Sequence, residues 1–451
     1  MELAGKKVLV FGTGISGIGA AGLLEQVGAR PVLYDGNERA DAAEIRKKLP
    51  KGSKADLILG ELAEEEMEKL DLAVLSPGVP TDLPLVEKIR SKHIPIWGEV
   101  ELAYQNSRGT LAAITGTNGK TTTTSLLGAI MKNDQDSVFV VGNIGIPYTQ
   151  IARKTTEDSV TVAEISSFQL ETIHQFHPKV SAILNITPDH LNRHHTMEEY
   201  IRVKESIAKN QTSEDACILN YEDEELRKFG KTLHTKVFFF SSLRTLEEGI
   251  YLRDGSIYYR SQGREIFVVD TRELRLPGRH NHENVMAAVA MALFLKVPLD
   301  EIRQSVKAFQ AVEHRIEFVE EKNGVVYYND SKGTNPDAAI KGIQAMDRPT
   351  LLIGGGYDKG SSYEEWIASF DGKVKYLVLI GATKEKIAKA ARDSGFTAIL
   401  FADTLEEAVG LCARKAEKGD AVLLSPACAS WDMFPSYEVR GRMFKEYVRK
   451  L

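Results

Sequence analysis

The segment Ile114-Thr115-Gly116-Thr117-Asn118-Gly119-Lys120-Thr121-Thr122 constrains the fold more than any other part of this chain. It ends the apolar run Leu111 to Thr115, which reads as a buried strand, and it opens a stretch of Thr, Leu and Ala that reads as a helix. A glycine turn between a buried strand and a helix belongs to largely parallel α/β sheets. In such a turn the glycines and backbone N–H groups cradle phosphates, Lys120 neutralises the β/γ charge and Thr121 reaches Mg2+. The spacing departs from the usual G-x-x-x-x-G-K-[ST], because Ile114 stands where the first glycine would be. The expected ligand is ATP.

The same alternation of short apolar runs with helical stretches covers the whole length. Lys7 to Phe11 and Pro31 to Tyr34 read as strands flanking a helix from Ser16 to Val27, followed by strands at Leu72 to Ser76 and Ile94 to Trp97. Glu61 to Lys69 reads as an acidic, solvated helix. Further strands end at Glu164 and Asn185, and residues 235–276 carry β signals that fit meanders on a sheet edge. A helix follows Pro277-Gly278 and is closed by Pro298. A last unit opens near Val312, with strands at Gly324 to Asn329, Thr350 to Ile353, Val374 to Ile380 and Ala421 to Leu424. With 451 residues two or three domains are expected, and the units along the chain make them three α/β domains: Rossmann-like over 1–98, P-loop ATPase-like with a mostly parallel sheet over 99–311, and Rossmann-like again over 312–451.

Composition narrows the function. Lys and Arg number 57 against 63 Asp and Glu, a net charge of −6 that argues against a general nucleic-acid partner. The longest apolar run, Val285 to Leu295, is well short of the roughly 18 residues of a membrane span, so no membrane insertion is expected. Cys217, Cys412 and Cys428 are far apart, give no disulfide framework or metal knuckle, and suit a reducing cytoplasm. The N-terminus shows no signal peptide, which fits the same location.

Two more constellations carry chemistry. Gly12-Thr13-Gly14-Ile15-Ser16-Gly17 joins a strand to a helix, and Asp35 closes the next strand. That arrangement lets backbone N–H groups meet an anionic ligand while an acid accepts from a ribose or base. Alone it admits a nicotinamide-dependent dehydrogenase or a turn that binds nothing, and it does not choose between nucleotides. Glu164 and His190 follow strands whose carboxyl ends should share an edge with the phosphate loop, where they would complete Mg2+ sites. A histidine on its own is more often an ordinary hydrogen-bonded residue, and His194 and His195 are read that way.

Taken in order, the motifs resemble the Mur ligases and folylpolyglutamate synthetases. The likeness runs through Gly116 to Thr122, Gly142-Asn143-Ile144-Gly145, Glu164 to Leu170, Asn185 to His190, Pro277 to Asn284, Glu313-His314-Arg315 and Asn329 to Asn335. Leu424 to Ser430 and the turns at Gly12 to Gly17 and Ser76-Pro77-Gly78 are similar to the members that add D-glutamate to UDP-N-acetylmuramoyl-L-alanine. The resemblance implies that ATP phosphorylates the acceptor carboxylate, the amine attacks the acyl phosphate, and phosphate leaves.

It also implies roles residue by residue. Lys120, with Gly116, Thr117, Asn118, Gly119, Thr121 and Thr122, would hold the ATP phosphates. Thr121 and Glu164 would hold one Mg2+ and His190 a second; Lys204 falls where the family has a carbamylated lysine acting as a Mg2+ ligand. Asn281 and Asn284 would lie near the adenine, Arg315 and Asp330 near the nucleotide, and Lys332 near the transferred phosphate. Gly14, Ile15, Ser16, Gly17, Asp35, Ser76, Pro77 and Gly78 would bind the UDP end, and Asn143, Ser166, Gln169 and His190 the muramoyl part. Thr334, Lys359, Ser430 and Tyr437 would bind D-glutamate. A monomer acting on small molecules is expected, the third domain closing over the central one. A non-catalytic nucleotide-binding module is the remaining alternative, and it would not need Glu164, His190, Lys204 and Lys332 together.

Overall fold

In the computed structural model, residues 2–143, 146–276, 278–310, 313–346 and 348–451 are described, without the side chain of Asn192. Ile144 and Gly145 of the second motif, Pro277, and Val312, where the last unit is expected to open, lie outside them.

Among the described residues the strands form three sheets. The first holds β1 (Lys7–Phe11), β2 (Arg30–Asp35), β3 (Asp56–Leu59), β4 (Leu72–Leu75) and β5 (Ile96–Gly98), all parallel, in the order β3-β2-β1-β4-β5. The chain reverses its direction of travel across the sheet between β1 and β4, the kind of switch point where α/β sheets bind ligands. The helix Ile15–Gln26 that follows β1 is buried almost all round, which its small residues permit. A Cβ on Gly19 would stand 2.5 Å from Thr149 Oγ1, and one on Gly22 3.2 Å from a Pro50 ring carbon.

The second sheet contains β6 (Thr110–Thr115), β7 (Val138–Gly142), β8 (Val160–Glu164), β9 (Val180–Ile183), β10 (Ala216–Asn220), β11 (Lys236–Ser241), β12 (Gly249–Arg253), β13 (Ser256–Ser261) and β14 (Arg264–Asp270). Its order is β14-β13-β12-β11-β10-β9-β6-β8-β7, parallel except for β12-β13-β14, which form the expected edge meander. Both hairpins of that meander turn on two residues with positive φ, Asp254-Gly255 (49° and 73°) and Gln262-Gly263 (52° and 72°). These are type I′ turns, whose twist matches that of the strands.

The third sheet holds β15 (Glu317–Lys322), β16 (Val325–Asn329), β17 (Thr350–Gly354), β18 (Val374–Leu379), β19 (Ile399–Phe401) and β20 (Ala421–Leu424), in the order β15-β16-β20-β17-β18-β19. β15 is its antiparallel member, joined to β16 through Asn323-Gly324 with φ of 55° and 78°. β15 is not among the expected strands: only the Asn323-Gly324 turn before the apolar β16 signals a hairpin, while β15 itself, Glu-Phe-Val-Glu-Glu-Lys, is mostly charged.

Other boundaries move for physical reasons. The acidic helix expected over Glu61 to Lys69 is one turn, Glu64–Met67. The strand expected to end at Asn185 ends at Ile183, because Asn185 turns its side chain and carbonyl to the phosphate loop. Pro298 does not close the helix Arg279–Phe294: Lys296 does, at φ 68°, with Val297 N–H returned to Ala292 O. Pro298 instead leads the next helix, Leu299–Ala308.

The chain divides into two compact units, residues 1–270 with 283–306, and residues 271–282 with 307–451. The first contains the five- and nine-stranded sheets and the second the six-stranded sheet.

Candidate active site

In the first unit the carboxyl ends of β6, β7, β8 and β9 lie side by side. Ile114 is in register with Glu164 and Ala182, and Gly142 with Glu164. The loop Gly116–Gly119 rises from β6 and caps the helix Lys120–Asp134, whose N-cap Gly119 sits at φ 86°. A Cβ there would approach Asn284 Oδ1 to 2.2 Å, so backbone conformation and packing both require glycine. Asn185 locks the loop, accepting from Asn118 N–H at 2.8 Å and donating from Nδ2 to Asn118 O at 3.2 Å. Thr117 donates its backbone N–H to Asn185 O at 2.9 Å, and its hydroxyl lies 3.1 Å from both Thr187 O and the Tyr200 hydroxyl.

Two ammonium groups converge on one loop carbonyl. Lys120 Nζ donates to Gly116 O at 2.8 Å and to Thr117 O at 2.9 Å. Lys204 Nζ donates to Gly116 O at 2.9 Å. Lys204 is buried, and desolvation followed by the charge of Lys120 holds its pKa well below the ordinary lysine value, with Asp189 pulling the other way. Burial thus shifts this lysine toward the neutral amine relative to an exposed one.

Glu164 ends β8 and is 1 % exposed. Its Oε1 accepts from Asn143 Nδ2 at 2.7 Å, whereas Oε2 is buried without a hydrogen-bond partner. An unpaired buried carboxylate oxygen is costly unless a cation completes it. This is the fit expected of a Mg2+ site that draws its remaining ligands from substrate phosphates. Among the described residues no cluster of three or more His, Cys, Asp or Glu suited to a metal is found. His190 stands at φ 54°, its ring edge-on to Phe168 at 4.8 Å. Thr121 lies in the first turn of the loop helix, and Thr122 is buried within it.

Of the residues expected to bind the acceptor, Gly14 to Gly17, Asp35 and Ser76 to Gly78 lie at the switch point of the first sheet, whereas Asn143, Ser166, Gln169 and His190 follow strands of the second. A Cβ on Gly17 would strike Gly12 O, so the turn closes only with glycine there. Asp35 accepts from the Thr13 hydroxyl at 2.7 Å and Asn37 N–H at 3.0 Å. Ile15 is exposed, and the Ser76 hydroxyl is buried with no partner. Ser166 caps the helix Ser167–Leu170 in a capping box with Gln169, which fixes the amide of Gln169: its oxygen accepts from Ser166 N–H and its Nε2 donates to Glu99 Oε1 at 2.8 Å. Sequence reading missed Glu99, a fully buried acid that burial pushes up to about 7.

In the second unit Asp330 is fully buried, accepting from Ser425 Oγ at 2.7 Å and Ile316 N–H at 3.3 Å, with Arg315 at 3.8 Å. Burial raises its carboxyl to about 6 against the pull of Arg315. Lys332 Nζ lies 5.9 Å from the centroid of the Tyr437 ring, which also stands edge-on to His314 at 6.1 Å. Thr334 is half-buried, Ser430 buried and Lys359 exposed. Arg440, which sequence reading also missed, ties this region together. Its buried guanidinium donates to Ser331 Oγ and O, Cys428 O and Ala429 O at 3.0, 2.9, 3.1 and 3.4 Å. Nothing in the pattern of an amphipathic helix distinguishes it from a surface arginine. Asn281 and Asn284 share the helix Arg279–Phe294 but fall in different units, and Asn284 Oδ1 accepts from Thr123 Oγ1 at 3.3 Å.

Comparison with known proteins settles the family. Residues 6–98 match the Mur ligase MurD-like N-terminal domain, 114–292 the Mur ligase middle domain, and 314–428 the Mur ligase glutamate ligase domain. The chain belongs to the Mur ligase family. It is similar along 100 % of its length to proteins named UDP-N-acetylmuramoylalanine–D-glutamate ligase. One from Lachnoclostridium phytofermentans is 60 % identical with 99 % of its length covered; one from Lachnospira eligens is 55 % identical with 100 % covered. Among solved structures, MurC from Thermotoga maritima aligns with TM-score 0.60 at 18 % identity, covering 99 % of each chain. MurF from Acinetobacter baumannii aligns with TM-score 0.62 at 19 %, covering 97 % of this chain and 93 % of that one. At these identities the two structures speak for the fold. As a Mur ligase the chain is an enzyme of the ATP-dependent ligase class, with three α/β domains whose sheets are mostly parallel.

Proposed function

We propose that this Mur ligase joins D-glutamate to UDP-N-acetylmuramoyl-L-alanine, consuming ATP and releasing ADP and phosphate, in cytoplasmic peptidoglycan precursor synthesis. The observation that carries the ligase chemistry is the convergence of Lys120, Lys204 and the unpaired Glu164 oxygen at the ends of β6 and β8. The choice of D-glutamate is supported by the full-length relatives of that name.

Two anions, the acceptor carboxylate and the γ-phosphate, must meet, so fixed cations have to offset their repulsion. Lys120 does so at the loop, and Lys332 does so for the phosphate in transfer. Gly116 to Thr122 hold the phosphates, with Asn281, Asn284, Arg315 and Asp330 on the rest of the nucleotide. Thr121 and Glu164 would hold one Mg2+ and His190 a second; when bound, the ions supply charge neutralisation at the phosphates. An ammonium at Lys204 is no ligand for a cation. Its burial and lowered proton affinity instead shift it toward the free amine, whose addition to CO2 with loss of one proton to solvent gives a carbamate, an oxygen ligand of carboxylate type. Gly14 to Gly17, Asp35 and Ser76 to Gly78 hold the UDP end, and Asn143, Ser166 and Gln169 the muramoyl part. Thr334, Lys359, Ser430 and Tyr437 hold D-glutamate, and its amine attacks the acyl phosphate. Domain limits of 1–98, 99–311 and 312–451 and a monomeric state complete the reading; the matched spans 6–98, 114–292 and 314–428 support the limits.

The test is phosphate release from Mg-ATP with UDP-N-acetylmuramoyl-L-alanine, scanning D-glutamate, L-glutamate, L-alanine, lysine and diaminopimelate. Release with D-glutamate alone is expected. Release with another amino acid would overturn the specificity, and no release with any would overturn the acceptor as well.

A further inference from the structure

The acceptor turn follows β4 and His190 follows β9, strands of different sheets in the first unit, and one side chain joins the two segments. Arg193 Nη2 donates to Val79 O at 2.8 Å, immediately after Ser76-Pro77-Gly78. The same guanidinium grips Glu171 with both arms, Nε to Oε1 at 3.1 Å and Nη2 to Oε2 at 2.5 Å. It also lies 5.0 Å from the centroid of Phe168, the ring that meets His190. The pair is nearly buried, with side chains 11 % and 9 % exposed. A planar fork held at three points in a dry setting is a rigid strut.

The backbone that this strut supports is strained. The single helical turn Leu191–His194 begins after His190 at φ 54° and ends at His195, φ 65° and ψ −46°. Thr196 N–H bonds back to His194 O at 2.8 Å, making His195 the centre of a γ-turn of the rare positive-φ kind. Such conformations persist where surrounding contacts over-determine them, and they cluster at functional sites. The contacts here include Arg193 on Glu171, His194 Nε2 with Ser167 Oγ at 2.9 Å and His195 Nε2 with Asp82 Oδ2 at 3.2 Å.

We infer that Arg193 is a positioning residue of the ligase reaction, fixing His190 relative to the acceptor turn Ser76–Val79 so that the acceptor carboxylate is presented to the phosphate loop in line. The inference rests on the function proposed above. Since the interactions of Arg193 are with Val79, Glu171 and Phe168, its loss should misalign bound substrates more than weaken their binding.

The experiment compares wild type, Arg193→Ala, Arg193→Lys and the double variant Arg193→Ala/Glu171→Ala, measuring phosphate release, ADP affinity by calorimetry and thermal midpoint for each. In Arg193→Ala, kcat is expected to fall about 10- to 100-fold, the scale of a small misplacement of reacting groups. Acceptor KM and ADP affinity should stay within about threefold of wild type. Guanidinium at tens of millimolar should restore part of kcat in Arg193→Ala, and Arg193→Lys should remain slow because one ammonium cannot make the forked contact. The double variant removes the unpaired buried carboxylate that could unfold the single variant, and it should show the same kcat loss. Turnover per ADP-binding site within about twofold of wild type in the double variant overturns the assignment, as does a rise in acceptor KM with kcat unchanged. Absence of D-glutamate-dependent release in wild type would instead sink the proposed function, so the two failures are distinguishable.

Discussion

Lys204→Met should separate stability from activity. Lys204 is 1 % exposed, with Nζ 2.9 Å from Gly116 O and 4.6 Å from the Tyr200 ring centroid. Burying an ammonium costs several kcal/mol. A charged hydrogen bond returns about 1.5–3 kcal/mol and a desolvated cation–π contact about 2 kcal/mol. Lys120, bonded to the same oxygen, adds repulsion. The sum is close to zero or unfavourable by about 1–2 kcal/mol. Methionine fills similar space without charge, so in CO2-free buffer the variant should melt at the wild-type temperature or a few degrees above it. Turnover should drop about 100-fold or more, the scale of losing one fixed charge-stabilising group. The sign with pH follows from linkage. The unfolded chain keeps this lysine protonated up to the ordinary value of 10.5, while the folded chain releases the proton at lower pH. The unfolded state therefore binds more protons in that window, and wild-type stability should rise with pH relative to the variant until 10.5. Scanning calorimetry across pH and phosphate release check both halves. A clearly lowered melting temperature together with near-wild-type turnover would refute the reasoning.

Glu164→Gln should raise the Mg2+ concentration needed for half-maximal turnover about tenfold or more, read from a metal titration at fixed ATP. Gly119→Ala should abolish nucleotide binding and destabilise by more than about 1 kcal/mol, because φ 86° and the approach to Asn284 are both violated; unchanged ADP affinity by calorimetry would contradict this. Asp330 has its folded pKa raised from 3.8 to about 6, so it subtracts stability as pH rises through that window. Asp330→Asn should accordingly gain on wild type between pH 4 and 7 in urea melts, and a difference that is flat with pH would count against it. Arg440→Met should cost about 3 kcal/mol, since Ser331 O and Cys428 O lose a buried donor, and should raise the KM for D-glutamate; a surface-like effect below about 0.5 kcal/mol would show that the guanidinium is dispensable.

The alternation of strands and helices, the phosphate loop and the edge meander are legible in the amino-acid order, because each is local. Apolar runs fix strands, and glycines at positive φ fix the turns whatever lies around them. Family motifs extended this to residues such as Glu164 and Lys204, whose types carry chemistry. Tertiary structure alone decided what those residues are. Lys204 reads as a surface lysine on a helix until folding buries it beside Lys120 on one carbonyl oxygen. The carboxylate of Glu164 has one held and one unpaired oxygen only because Asn143, 21 positions away, reaches it across the sheet edge. Glu99, Arg193 and Arg440 are ordinary charged residues in the chain and become functional candidates through partners 70, 114 and 109 positions away. Local propensity and periodicity act over a few residues, whereas desolvation and pairing of charges depend on which distant segments pack together.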